Sequence, residues 1–276
     1  MIKYLIFGGG FMGRKLAGYL ADAHLSDARI ASAASVVQEI HLHKPEWVIN
    51  CVGKTGVPNV DWCESHKAET LFANTTVPML ILEGCHQTGV KLMHLGTGCV
   101  YTGDHGGAGF TELDAPNFRG SFYSRTKLWS EQALADFGVL QLRIRMPIDS
   151  APGPRNLISK LLQYDRLIDV PNSVTVVADF LRAARELMER NATGIYNVVN
   201  PGPITARQVM DIYNEISMQK KAYSIVSLAE LAHTLTAPRS NCCLNTTKLH
   251  DFGIALPDAH TAVRRVMEAF CRERDG

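Results

Sequence analysis

A chain of 276 residues is long enough for one large domain or for a core with a smaller lobe, and its 28 basic against 27 acidic side chains, with no dense basic run, argue against a nucleic-acid or membrane surface. Seven cysteines without a Cys-x-x-Cys motif argue against a disulfide framework or a zinc site and point to a reducing, cytoplasmic setting. The apolar run Ile2 to Phe7 is too short for a signal peptide, and no run approaches a membrane span.

Lys3 to Phe7 reads as a strand, and a helix is expected from Gly13 to Ala21. Between them Gly8-Gly9-Gly10-Phe11-Met12-Gly13 supplies G-x-G-x-x-G where a dinucleotide cradle requires it. Gly8 suits the tight turn, Gly10 the approach of a pyrophosphate to backbone N–H groups at a helix start, and Gly13 the packing of helix on sheet. A second strand is expected near Asp27 to Ala31. No acidic residue clearly stands where a ribose 2′-hydroxyl would be read. Ala31 to Ser35 is small and neutral, with Arg29 just upstream and Asp27 before it, which leans toward NADP and leaves NAD open.

Further strands are predicted at Trp47 to Val52, Lys91 to Leu95, Val139 to Ile144 and Ile195 to Val199. Apolar residues at three- and four-residue spacing predict helices at Trp62 to Ala73, Val77 to Gln87, Ser124 to Asp136 and Ala178 to Arg190. The alternation implies an α/β fold with a Rossmann-type doubly wound parallel sheet. Regularity breaks after Pro147: Ala151-Pro152-Gly153-Pro154 continues neither strand nor helix, and a short helix follows from Asn156 to Tyr164. Beyond Asn200-Pro201-Gly202-Pro203, helices are expected near Thr205 to Ile216, Leu228 to Leu235 and Asp258 to Cys271, with no further parallel strand. This divides the chain into a dinucleotide-binding core, residues 1–148 and 173–199, and a small discontinuous substrate lobe, residues 149–172 and 200–276.

Two segments carry chemistry. In Tyr123-Ser124-Arg125-Thr126-Lys127, a helix puts the phenol and the ammonium on one face, where a fixed Lys127 charge would favour the phenolate and make Tyr123 a better acid. After the strand ending at Leu95, Thr97 and Cys99 are two apart in extended chain and point to the same side. A threonine hydroxyl can bond a substrate carbonyl and a thiol can exchange a proton, although a free cysteine is more often a small buried hydrophobe. Asp61-x-x-Glu64 reads as a helix capping box.

The glycine-rich first turn, Thr97 four before Tyr101, and Tyr123-x-x-x-Lys127 together resemble the extended short-chain dehydrogenase/reductase superfamily. Within it, VGKTGVPNVDWCESHK from Val52 to Lys67, Pro116 to Tyr123, Arg143 to Ile148, Pro154 to Lys160, Pro171-Asn172-Ser173 and Ala237 to Asn241 resemble the nucleotide-rhamnose synthase/epimerase-reductase family. The resemblance implies a bifunctional enzyme that inverts C3 and C5 of a UDP- or dTDP-linked 4-keto-6-deoxyglucose and reduces C4 with NADPH. It implies an acid/base pair at Cys99 and Lys160; a sister group of fucose-nucleotide synthases has a histidine where Lys160 stands. Tyr123 would donate the proton in reduction, Lys127 would also bind the nicotinamide ribose, and Thr97 would orient the carbonyl.

By the same resemblance Cys51, Val52 and Gly53 border the cofactor and Met146 and Pro147 lie by the nicotinamide. Thr55, Asn156 and Arg239 become candidates for the sugar nucleotide, with a homodimer expected by superfamily analogy. A structural ion pair is nearly as good a reading of Arg239. The first turn is one residue shorter than the family's G-x-x-G-x-x-G, which bears on cofactor preference. Cys99 and Lys160 argue against a reductase lacking epimerase activity; Thr97, Tyr123 and Lys127 together argue against a non-catalytic regulatory subunit.

Overall fold

The computed structural model describes residues 2–232 and 234–275. In chain order the elements are β1 (Tyr4–Phe7), α1 (Phe11–Tyr19), β2 (Ala23–Ser26), α2 (Ala33–His43), β3 (Trp47–Asn50), α3 (Trp62–Ser65), α4 (Lys67–Leu71), a π-helical turn (Phe72–Thr76), α5 (Val77–Thr88), β4 (Lys91–Thr97) and α6 (Phe122–Leu134). There follow β5 (Leu140–Ile144), β6 (Pro147–Ile148), α7 (Leu157–Leu161), β7 (Arg166–Ile168), β8 (Thr175–Val176), α8 (Val177–Glu189), β9 (Gly194–Asn197), α9 (Ala206–Ile216), β10 (Ser224–Val226), α10 (Leu228–Ala232), α11 (Thr247–Asp251) and α12 (Ala259–Asp275). Among the described residues no helix is long and apolar enough to cross a membrane.

Six strands form one sheet in the order β2-β1-β3-β4-β5-β9, every pair parallel. Successive side chains of a strand face opposite ways, and β1 distributes its residues accordingly. Tyr4 and Ile6 join a cluster with Leu16 of α1 and Phe180 and Leu187 of α8. Leu5 and Phe7 join one with Val36 of α2 and Ile81 of α5. Helices therefore cover both faces, the Rossmann-type arrangement expected. The strand order reverses at β1, so the crevice for a ligand opens at the carboxyl ends of β1 and β3.

The structure departs from the sequence expectations in particular places. The second strand is Ala23–Ser26; Ala31 to Ser35 instead enters α2, whose start is fixed by Ser32 accepting from Ser35 N–H. The single helix expected over Trp62 to Ala73 is broken into α3, α4 and the π-helical turn. A parallel strand does occur after residue 200: β10 pairs with β7. The helix expected at Leu228 to Leu235 ends at Ala232, and His233 lies outside the described residues.

A third apolar cluster joins Ile158 and Leu161 of α7 to Met210 and Tyr213 of α9 and to Val263, Met267 and Phe270 of α12. Val174 and Val176 also pack here, while Leu249 and Ile254 pack with the sheet and α8. One passage of the chain from the sheet to this cluster runs through Met146, a non-glycine residue held at φ 42° between β5 and β6. That left-handed conformation is unfavourable for a side chain with a Cβ and persists only where its surroundings hold it.

Candidate functional site

Gly8 follows β1 directly and has φ 104°; a Cβ there would lie 2.6 Å from both the Cys51 carbonyl carbon and the Val52 nitrogen. Gly13 is equally constrained, since its Cβ would come 2.0 Å from the Gly8 carbonyl oxygen. Gly10, by contrast, has nothing within 4 Å of that position and is the N-cap of α1 without a side-chain cap. A turn closed by two glycines and open at the third leaves the first N–H groups of α1 facing free space, the arrangement that receives a phosphate. Met12 is buried among the sheet-facing residues and Phe11 packs partly against them.

Beside this turn lies a cleft of about 470 Å³ lined by Phe7, Gly8, Arg14, Leu25, Asp27, Arg29, Val52 and Phe72, among others. Its walls combine apolar side chains with two guanidinium groups and one carboxylate, a fit for an adenosine with a charged ribose substituent. On its far side Cys51, Val52 and Gly53 continue from β3. The π-helical turn contributes Asn74, whose Oδ1 accepts from Lys54 N–H at 2.7 Å and whose Nδ2 donates to the Lys54 carbonyl and to Thr126 Oγ1. One extra residue in a helical turn thus aims a carboxamide that clamps the β3 loop to α6. Sequence periodicity gave no sign of it.

Helix α6 begins where it does because two groups satisfy its first N–H donors: Ser121 Oγ accepts from Ser124 N–H at 3.1 Å and Glu64 Oε1 from Phe122 N–H at 2.6 Å. Asp61 and Glu64 therefore form no capping box of their own. The Asp61 carboxylate instead takes Arg239 at 2.8 Å through both guanidinium ends and the Ala237 N–H at 2.8 Å. Arg239, above all, holds the Asp61 pKa below the usual carboxylate value. Arg239 is accordingly engaged in a structural ion pair, the alternative its sequence context left open.

Tyr123 and Lys127 are both buried on α6, and Thr97 is buried at the end of β4. Burial, followed by the facing Cys99, pushes the Tyr123 phenol well above the ordinary tyrosine range, against a hydrogen bond with Thr97 and the Arg145 charge. Lys127 is not among the main influences on the phenol. Its Nζ donates to the Leu95 carbonyl at 2.8 Å and stands 3.2 Å from His94 Nε2. Burial brings Lys127 itself down to about 8, against the opposing influence of Glu131, Cys51 and Cys99.

Cys99 is half-buried, and its backbone N–H donates to Thr97 Oγ1 at 3.1 Å. Its sulfur receives a hydrogen bond of 2.7 Å from Arg145 Nη1. Arg145 is 5% exposed and also donates to Asn172 Oδ1 at 2.7 Å and to the Ser240 carbonyl. Burial opposes its charge, yet the Cys99 and Cys242 sulfurs and Tyr123 keep its pKa above the ordinary arginine value. A guanidinium fixed on three sides is thus aimed at the thiol and can counter the negative charge that develops when the thiol gives up a proton. Arg145 lay inside a motif read from the sequence but had been given no part.

The lobe supplies α7. Asn156 is fully buried and its side chain is wholly engaged: Oδ1 accepts from Ile158 and Asp149 N–H while Nδ2 donates to the Asp149 and Ala151 carbonyls. It caps α7 and is not turned toward a substrate as expected. Neighbouring Arg155 reaches from the lobe to the core, donating to Thr55 Oγ1 at 2.7 Å and the Gly56 carbonyl at 2.9 Å. The Lys160 amine, in the last turn of α7, makes no side-chain hydrogen bond or ion pair among the described residues, and burial, then Arg155, lowers its pKa.

The protein-family model described as the RmlD substrate binding domain matches residues 3–272. A bifunctional dTDP-4-dehydrorhamnose 3,5-epimerase/dTDP-4-dehydrorhamnose reductase of Arabidopsis thaliana is 38% identical over 90% of this chain and 86% of its own length. A trifunctional UDP-glucose 4,6-dehydratase/UDP-4-keto-6-deoxy-D-glucose 3,5-epimerase/UDP-4-keto-L-rhamnose-reductase of the same plant is 37% identical over 90% of this chain, which spans 39% of that longer protein. Among solved structures, the L780 UDP-rhamnose synthase of Acanthamoeba polyphaga mimivirus superposes with a TM-score of 0.92 at 31% identity, covering 97% of this chain and 99% of that one.

Proposed function

From a chain that belongs to the RmlD substrate-binding-domain family of extended short-chain reductases, we propose a bifunctional 3,5-epimerase/4-reductase that converts a nucleotide-linked 4-keto-6-deoxy-D-glucose to the nucleotide-L-rhamnose with NADPH. The observation that carries the proposal is Cys99, held at 2.7 Å by Arg145 and adjoining Thr97 and Tyr123, which sets a proton-exchanging thiol beside a carbonyl-binding pair. The proposal carries with it a UDP- or dTDP-linked substrate, a cytoplasmic setting in keeping with seven cysteines that form no Cys-x-x-Cys motif, and a homodimer by superfamily analogy.

The backbone of Gly8 to Gly13 would hold the pyrophosphate of the cofactor, the cleft with Arg14 and Arg29 its adenosine end, and Cys51, Val52, Gly53, Tyr123, Lys127, Met146 and Pro147 its nicotinamide end. NADPH, when bound, supplies the hydride for C4. Thr97 and Tyr123 bond the C4 carbonyl oxygen. That polarisation acidifies the hydrogens on C3 and C5, so Cys99 on one side and the Lys160 amine on the other can remove a proton and return one from the opposite face. Arg145 steadies the charge on the sulfur through each exchange. When C4 is reduced, the Tyr123 hydroxyl gives its proton to the oxygen. Thr55 remains a candidate contact for the sugar nucleotide; Asn156 and Arg239 act by shaping the walls.

Incubation of the protein with NADPH and the 4-keto-6-deoxyglucose nucleotide in deuterated water tests this reading. A rhamnosyl product deuterated at C3 and C5 is expected. Reduction without that label would remove the epimerase half, and absence of any turnover would remove both.

A further inference from the structure

Behind the reducing pair lies a buried chain of polar groups that the proposed chemistry does not itself require. Asn50 at the end of β3 and His94 in β4 are register partners, both fully buried, and Lys127 reaches them from α6. Asn50 Oδ1 accepts the Val52 backbone N–H at 2.9 Å. A backbone N–H can only donate, so this contact fixes the carboxamide and turns its Nδ2 group toward His94 Nδ1 at 3.0 Å. An amide NH2 also only donates. Nδ1 must therefore be the bare, accepting nitrogen, and the single proton of the neutral ring resides on Nε2.

Nε2 stands 3.2 Å from Lys127 Nζ. An ammonium has no lone pair, so an Nε2–H facing it is a donor against a donor, whereas the free amine accepts that proton cleanly. The other tautomer would move the conflict to Asn50 without removing it. We propose that Asn50 and His94 are positioning residues that hold the imidazole as its Nε2–H tautomer and thereby make Lys127 a proton-exchanging group, not a permanent cation. This rests on the reductase reading of the site only for its purpose. Each reduction consumes one hydride and one proton, the proton leaving Tyr123 for the substrate oxygen, and a neighbouring amine that exchanges protons with water can help restore it.

The other charged or titratable groups around Lys127 do not cancel the effect. Glu131 on the same helix is itself paired with Arg143 at 2.7 Å, and Cys51 and Cys99 approach from the ends of β3 and β4. Burial, then Lys127, holds His94 far below the ordinary histidine value, so the ring stays neutral. Burial brings Lys127 to about 8, and the tautomer acts in the same direction.

The first test needs no substrate. Nitrogen-15 NMR of histidine-labelled protein, assigned with His94→Gln, should show His94 with a bare Nδ1 and a protonated Nε2. A protonated Nδ1 would overturn the proposal. The second test is a carbon-13 titration of lysine-labelled protein, with Lys127→Met as the assignment control. His94→Gln places an amide oxygen where Nε2 was, so the Lys127 ionisation should move up by at least about one pH unit, a tenfold gain in proton affinity. An unmoved ionisation would overturn the tautomer's role even if the NMR assignment stood. Both readouts hold whether or not the protein reduces a keto sugar; in an active enzyme the alkaline limb of kcat/KM should shift with them.

Discussion

Lys127 and Lys160 offer the same side chain in two settings, one in the sheet-bound half of the site and one in the lobe. Burial lowers the pKa of both. Lys127 is confined by the Leu95 carbonyl and His94 on a long, capped helix, whereas Lys160 lies in the last turn of a five-residue helix and its amine has no bonded partner among the described residues. A confined amine can position and tune; an unpartnered one is available to meet a substrate carbon from the lobe side. The contrast suggests that reduction is built from preorganised groups and epimerisation from groups that the substrate itself brings into register.

The predictions that break or sharpen this contrast fall in descending order of effect. Removing the Tyr123 hydroxyl with Tyr123→Phe should cut reduction by about 10²–10⁴-fold, while NMR still detects deuterium entering C3 and C5 of unreduced substrate. Loss of both activities together would show that the two halves are not separable. Cys99→Ala should do the reverse: exchange falls by roughly 10²-fold or more, while reduction of an already epimerised 4-keto-rhamnose nucleotide persists. Unchanged exchange would move the acid/base role away from this thiol.

The third prediction concerns stability. Lys127 is lowered in the folded state from an ordinary 10.5 to about 8, so between those values the unfolded chain binds more protons and stability rises with pH. Below about 8 both states are protonated and the burial penalty is fully present. Denaturant unfolding at pH 7.5 and pH 10 should therefore show a smaller wild-type deficit relative to Lys127→Met at the higher pH, by up to ~3 kcal/mol. A deficit that does not change with pH would mean that Lys127 is not desolvated as its surroundings imply.

Local periodicity made the parallel sheet, the glycine turn and the one-turn spacing of Tyr123 and Lys127 legible, because each depends on neighbours within a few residues. Strand β2 was misplaced because Ala-His-Leu-Ser is only four residues long and has no β-branched side chain to mark it, and the Asp27 to Ala31 stretch beside it reads better than it folds. The contacts that define the site were less legible. Arg145 meets Cys99 across 46 residues and Arg239 meets Asp61 across 178, separations that no window of sequence spans. Asn156 was a sugar-nucleotide candidate through the family resemblance, yet its role as N-cap rotates its carboxamide into the backbone of its own turn. Asn50 and His94 were hidden for a different reason: their meeting depends on strand register, which alternation alone does not number.

The grip on Arg145 has a consequence for how the protein is made. The two Nη groups of its guanidinium donate to groups at residues 99, 172 and 240, so during synthesis the charge gains its last partner only once the segment around Ser240 has emerged from the ribosome. Until then the sheet can form around β1 to β5, but the thiol is faced by a cation that is not yet held. Competence for the proposed epimerisation would therefore be acquired late, with the docking of the segment around Ser240, and a nascent chain arrested before that point would have the glycine turn formed without the finished setting of the Cys99 thiol.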